Sequence, residues 1–412
     1  MTILLDLLLT LAALALAVPI GTFGLEVALS LIPGRRRRAR PFHDALRLAV
    51  LIPAHNEALG ISRTLLALLP TLPAGSRVLV VADNCSDDTA QIARRLGAEV
   101  AERTDASRRG KGFALDFGIR HLAKSPPDAV VFLDADCQVR PDTVRLLGAT
   151  AVATNRPVQG LNLCDPDPRG GALQAVSGLA FRFKNLVRTI GLTRLAGLSY
   201  LTGTGMALPW SLAQRAKLAD GNVVEDMQLG IDLTLAGYKP LFLPTARVDS
   251  PLPQQRSTAR TQRTRWEHGH LKTLLSQVPR LLLLAARHRR LDLAWLAIDL
   301  AIPPLSLLVA LSTAAWLAAL AGWFCGCGLM PLVALSLLGG MLSVAVFAGW
   351  LIHCRQQVPL LSLLAAPLYA AWKLPIYAAL VLKRQQAWVR TEREPQSLVA
   401  SPQPPAPSPQ PP

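Results

Sequence analysis

A chain of 412 residues that is 51% hydrophobic and 17% charged, with a mean hydropathy of +0.33, is too apolar for an ordinary soluble enzyme. Its net charge of +16 points to anionic lipid, a phosphate-rich substrate or nucleic acid. Aromatics make up 5% and no basic helix is interleaved with them, so nucleic acid is the weakest of these, and six scattered cysteines form neither a zinc-ligand spacing nor a secreted disulfide framework.

Residues 1–33 read as a transmembrane helix, an apolar run interrupted by Asp6 and Glu26. A bilayer core takes about 20 apolar residues as helix. The first charge is Asp6 and no basic leader precedes it, so a retained helix is a better reading than a cleaved signal peptide. Residues 34–46 open with Gly34-Arg35-Arg36-Arg37-Arg38-Ala39-Arg40, a basic linker. Beside a membrane helix such a run predicts a cytoplasmic anchor, with the N-terminus outside.

Residues 47–272 alternate short apolar strands with helical stretches, and strands are predicted at 46–53, 77–83, 98–103, 129–136 and 157–163. Between two of them, residues 86–97 read as a helix capped by Ser86, with Asp87 and Asp88 at its positive end and Gly97 closing it. This alternation predicts an α/β fold with a mostly parallel sheet covered on both faces, and sites in such sheets lie at the carboxyl ends of the strands. Three polar turns fall at such ends: Pro53 to Glu57, Asp83 to Asp88, and Asp134-Ala135-Asp136.

The last of these raises a question of charge. Two carboxylates one residue apart repel, and a lone pair of this kind is usually a strand end meeting water. The sharper reading is a divalent cation, because Mg²⁺ and Mn²⁺ take hard oxygen ligands completed by phosphate and water. Alternate strand residues point to opposite faces, so both carboxylates reach one ion only if the strand has ended and the chain turns there.

Further along lie a Gly-rich basic stretch, Arg108 to Leu115, with Lys111 as a point charge for phosphate, and Glu225-Asp226 ahead of a helix. Helical spacing puts Gln262, Arg265 and Trp266 on one face. His268 and His270 diverge on a helix, so packing suits them better than a shared metal, and His55 reads as structural.

Past that point the chain turns apolar again. Residues 273–290 read as an amphipathic interfacial helix, and 291–323 and 329–353 as transmembrane helices. Residues 359–383 contain Pro367, Lys373 and Pro375, which predicts interfacial or re-entrant helices with Trp372 and Tyr377 at headgroup level. Residues 384–412 are a Pro-rich tail whose composition predicts cytoplasmic disorder.

Asp83, Asp134-Ala135-Asp136, Glu225-Asp226 and Gln262-x-x-Arg265-Trp266 occur in an order that resembles the membrane-embedded inverting family 2 glycosyltransferases, among them cellulose, hyaluronan and poly-N-acetylglucosamine synthases. The resemblance covers roughly residues 49–270. It implies a cytoplasmic GT-A-like nucleotide-sugar-binding domain in a multi-pass plasma-membrane (inner-membrane) protein. It also implies donor contacts from Pro53, Glu57, Asp83, Lys111, Asp134, Gln262 and Arg265. Asp136, with Asp134, would hold Mg²⁺ or Mn²⁺. Asp226, with Glu225 beside it, would supply the general base, and Trp266, Thr204 and Gly205 would face the acceptor. The implied donor is a nucleotide sugar, UDP-linked by family habit, and the acceptor a saccharide in exopolysaccharide or capsule biosynthesis, with export proteins as partners. Three spans and two interfacial runs are fewer than the multi-span synthases carry. Two other readings stay open: single addition to a lipid carrier or membrane lipid, and a non-catalytic membrane scaffold.

Overall fold

The structure, a computed structural model, describes residues 2–34, 46–166, 171–219, 225–251 and 256–382. The arginines of the basic linker and the Pro-rich tail lie outside them. Eight strands form one sheet: β1 (Leu48–Ala54), β2 (Arg77–Asp83), β3 (Glu99–Arg103), β4 (Ala129–Phe132), β5 (Gln138–Val139), β6 (Val158–Leu163), β7 (Met206–Pro209) and β8 (Leu241–Asp249). Their order is β3-β2-β1-β4-β7-β6-β8-β5.

β1 shows why these runs become central strands. Leu48, Val50, Ile52 and Ala54 pack into the core on one face, Ala49 and Leu51 into the core on the other. With both faces covered the strand is a continuous apolar run, and each fully buried aliphatic side chain contributes about 1.5–3 kcal/mol.

The sheet is mostly parallel, as expected, but mixed. β3, β2, β1 and β4 are parallel neighbours, as are β6 and β8, while β7 runs antiparallel between β4 and β6, and β5 antiparallel to β8. Apolar runs report burial and not direction, and β7 is four residues that follow directly on Gly203-Thr204-Gly205, too short to read as a strand. The helix after β2 spans Thr89–Arg95 and is not capped by Ser86. Asp87 instead accepts the Thr89 and Ala58 amides, each at 3.1 Å, which ties this turn to the one after β1.

Four helices among the described residues are long and apolar enough to cross a membrane: Thr2–Leu31, Leu305–Phe324, Leu329–His353 and Leu360–Ala379. Leu4, Leu7, Leu8, Leu11 and Leu14 of the first are all more than half exposed, a band suited to lipid rather than water. The run 291–323, expected as one span, is two helices, Leu291–Leu300 and Leu305–Phe324. Pro303 and Pro304 lack amide donors and break it. The expected interfacial stretch 273–290 is not a separate element, because one helix runs from Arg256 to His288 and carries the Gln262–Trp266 motif at its start. Residues 359–383, expected as interfacial or re-entrant, form a short 3₁₀ turn followed by the helix Ala366–Leu382.

The apolar half and the sheet half are joined by a buried charge cluster. Arg188 lies 3.2 Å from Glu26 of the first helix and 2.8 Å from Asp299, at the end of the helix before the double proline.

Candidate active site

At the carboxyl end of β2, Asp83 is almost fully buried and its Oδ1 accepts Arg103 Nη1 at 2.6 Å and Asn84 Nδ2 at 2.9 Å. His55 Nδ1 lies 2.7 Å from the Asp83 carbonyl oxygen, a backbone contact that fits a structural part. The Glu57 amide donates to Thr89 Oγ1 at 2.8 Å, which fixes the turn after β1. Arg103 also bonds Asp105 Oδ2 and the Arg108 carbonyl, at 3.0 and 2.8 Å, and so holds the Gly-rich stretch against the sheet. Nothing in the sequence singles it out beyond its place at the end of β3.

β4 ends at Phe132, and the chain then turns, as the Cys137 amide donates to the Asp134 carbonyl at 3.3 Å. Having left the strand, Asp134 and Asp136 face the same space. Their carboxylate oxygens and Cys137 Sγ lie within 4.8 Å of one another. The two carboxylates suit a hard divalent cation. Cys137 does not, because burial, and then Asp136 and Asp134, push its thiol well up, and it lies 3.2 Å from Ser250 Oγ. The Asp134 amide donates to Thr204 Oγ1 at 3.1 Å.

Lys111 begins the helix Lys111–Leu122 and bonds Asp134 Oδ1, while its Nζ also donates to the Gly203 carbonyl at 2.9 Å. Burial lowers its affinity for a proton, but Asp134, Glu225 and Asp226 outweigh that and hold the ammonium above its ordinary value. Gly112 next to it allows close approach, since a β-carbon there would lie 2.2 Å from the Leu218 carbonyl oxygen.

Glu225 and Asp226 open the helix Glu225–Leu235, whose start also lines the site. Burial, then repulsion from Asp226, raises Glu225 to about 7. Burial also raises Asp226, with Lys111 opposing it. Gly203 has φ +79°, and a β-carbon there would lie 2.9 Å from Asp226 Oδ2 and 3.1 Å from Lys111 Nζ. Lys111 thus sits among Asp134, Glu225 and Asp226.

These groups line one cleft of about 420 Å³, together with Pro53, Glu57, Asp83, Asp136, Thr204, Gln262, Arg265 and Trp266. Gly205 is outside it: its amide donates to the Phe132 carbonyl at 2.9 Å, and it serves as the joint between β4 and β7. Among the described residues no carboxylate pairs with Arg265. Trp266 packs on Phe181 with ring centroids 5.9 Å apart. His268 and His270 do diverge, lying 2.8 and 3.2 Å from the carbonyls of Ile376 and Ile302. The cleft continues to Phe23, Leu305, Ser306, Tyr369 and Lys373, all on apolar helices.

A family model described as "Glycosyltransferase like family 2" matches residues 45–269. The chain belongs to that family. This family 2 glycosyltransferase is 28% identical over 253 residues to the probable glycosyltransferase YdaM of Bacillus subtilis, and the match covers 56% of each chain. It therefore spans little more than half the length of that relative. It is 34% identical over 190 residues to an uncharacterized glycosyltransferase of Mycobacterium bovis, across 43% of this chain and 82% of the relative. Among solved structures, the mannosyltransferase PcManGT from Pyrobaculum calidifontis, in complex with GDP-Man and Mn²⁺, shares the fold with a TM-score of 0.54. The identity there is 20%, over 89% of this chain and 98% of that one. The family 2 glycosyltransferase is thus an α/β enzyme with a mixed GT-A-like sheet.

Proposed function

We propose that this glycosyltransferase moves a sugar, with inversion, from a nucleotide sugar to an acceptor held at the membrane, the sheet half lying on the cytoplasmic side of a multi-pass protein in the plasma (inner) membrane. The observation that carries the reading is that Asp134, Asp136 and Asp226 line one cleft, with Lys111 bonded to Asp134 and beside Asp226 at Gly203. Pro53, Glu57 and Asp83 line the end suited to the nucleoside, for which a UDP-sugar is the first choice. Asp136 and Asp134 would hold Mg²⁺ or Mn²⁺, whose charge stabilises a leaving diphosphate.

The chain's own groups do the rest. Asp226 takes the proton of the acceptor hydroxyl as its oxygen attacks the anomeric carbon. The bond from that carbon to the diphosphate oxygen breaks on the opposite side. Arg265 and Gln262 receive the charge that develops there, which they stabilise more in the transition state than in the ground state. One base suffices for a single displacement. Trp266 and Thr204 face the acceptor.

The acceptor is a growing saccharide in the first reading, which places the enzyme in exopolysaccharide or capsule synthesis, with export proteins beyond it. The continuation of the cleft to Phe23, Leu305 and Tyr369 favours a second reading, single transfer to a lipid carrier. Product length separates them: polymer for the first, a short lipid-extractable glycoside for the second.

The deciding experiment incubates purified protein in detergent with UDP- and GDP-sugars and Mg²⁺, Mn²⁺ or EDTA. Metal-dependent release of one nucleoside diphosphate, lost in Asp136→Asn, supports the reading. Release from no donor by folded protein, together with unaltered cellular function in Asp226→Asn, returns the chain to the scaffold reading.

A further inference from the structure

Lys373 lies in an otherwise apolar helix, yet it is 4% exposed. A buried ammonium in such a setting needs a partner, and its Nζ bonds Glu267 Oε1. Tyr369, Lys373 and Tyr377 are spaced by four and form one buried stripe of the helix Ala366–Leu382. They meet Arg263 and Glu267, also four apart, on the helix Arg256–His288. The Arg263 guanidinium lies 5.6 Å from the Tyr369 ring and 5.3 Å from the Trp372 ring. Arg263 also bonds Ser177 Oγ. Tyr377 donates to Glu267 Oε2 at 3.0 Å and lies 2.8 Å from Ser306 Oγ, beside the double proline.

We infer that Glu267, Lys373 and Tyr377 are positioning residues for the transfer, setting the rotation of the helix whose neighbouring face carries Gln262, Arg265 and Trp266. The inference rests on the proposed role of that face. Successive helix residues are about 100° apart, so a small roll about the axis swings Arg265 and Trp266 across the cleft. Glu267, Tyr369, Lys373 and Ser306 all line that cleft, so the network forms part of its wall. Two apolar residues would fill the positions of Glu267 and Lys373 without desolvating charge. What the charged pair adds is register, because only one rotation of the two helices brings carboxylate, ammonium and phenol together.

The test uses full-length protein in detergent with UDP-glucose, UDP-N-acetylglucosamine and GDP-mannose as probes. With the donor that the wild type turns over, Lys373→Met and Glu267→Gln lower kcat by about tenfold or more, with donor KM within about twofold. Tyr377→Phe lowers kcat by about threefold, and Lys373→Arg restores most of it. The double variant Glu267→Gln/Lys373→Met has no buried charge left unpaired. It regains the thermal midpoint while kcat stays low, which a merely structural pair would not produce. Wild-type kcat in the folded double variant overturns the inference. If the single charge variants do not fold, Tyr377→Phe decides, and an unchanged kcat in it overturns the inference. An inactive wild type sinks the proposed function instead. The charge-swapped Glu267→Lys/Lys373→Glu protein then still decides the docking: recovery of the thermal midpoint lost in either single swap supports it, and no recovery overturns it.

Discussion

Lys111 and Asp134 form an ion pair in the lining of the cleft, and the same ammonium donates to the Gly203 carbonyl 2.9 Å away. Read from sequence, Lys111 is a point charge waiting for phosphate. In the fold it already neutralises one of the paired carboxylates and lies close to Glu225 and Asp226. One ammonium thus balances three neighbouring acids.

Replacing it should therefore damage more than donor binding. In Lys111→Met the carboxylates lose their shared cation and take up protons more readily. Steady-state rates with the preferred nucleotide sugar should show kcat/KM reduced by about 10²-fold, through both a higher donor KM and a lower kcat. A change in KM alone would show that Lys111 acts only on the donor.

Gly203 is fixed by geometry rather than chemistry. Alanine there must adopt φ +79° and bring a methyl to 2.9 Å from Asp226 Oδ2. The backbone strain is about 1–3 kcal/mol. Gly203→Ala should lower the thermal midpoint by several degrees and cut transfer more than tenfold, both measured on the same detergent preparation.

Activity and stability should respond to pH in opposite senses. Asp226 must be ionised to act as the proposed base, and burial holds its carboxyl above the ordinary value, so transfer falls as pH drops through that raised range. For stability the sign reverses. Glu225 binds its proton more tightly folded than unfolded, so its contribution is full below the ordinary 4.5 and is lost as pH rises through about 7. Rate and thermal midpoint across pH 5–8 are the paired measurements, and Glu225→Gln should flatten the midpoint curve. Asp226→Asn should lose about 10²–10⁴ in rate at every pH.

Metal dependence should follow the two carboxylates and not the cysteine. EDTA should abolish nucleoside diphosphate release, and added Mg²⁺ or Mn²⁺ should restore it. Asp136→Asn should need far more metal for half-maximal rate, if it recovers at all. Cys137→Ser should titrate like the wild type, and a large rightward shift in that variant would count Cys137 as a ligand.

Much of this arrangement was readable before folding. β1, β2, β4 and β6 announce themselves as apolar runs ending in polar turns, because burial on both faces demands such runs. Asp83 and Asp134–Asp136 meet in one cleft because the strand ends gather there, and the helices Glu225–Leu235 and Arg256–His288 bring Asp226 and Gln262–Trp266 to it. What sequence hid was pairing. β7 is four residues long and follows two glycines, so no run marks it. Arg103 and Lys373 look like surface or headgroup charges until the fold shows the carboxylates they meet. The double proline was visible, but in an apolar run it could mark a kink as well as the break it makes.

The cluster of Glu26, Arg188 and Asp299 bears on how this enzyme can be handled. Arg188 belongs to the stretch lining the cleft, and its carboxylates come from segments on either side of the matched region, residues 45–269. The first helix also approaches Gly191 so closely that a β-carbon there would lie 2.5 Å from the Glu26 backbone. Cutting at the homology boundary removes both carboxylates and bares that contact, leaving a buried guanidinium unmatched at the edge of the catalytic cleft. The boundary of kinship is not a boundary of folding. A truncated fragment would be a different and poorer protein, and the chain should be purified whole, with its apolar helices attached.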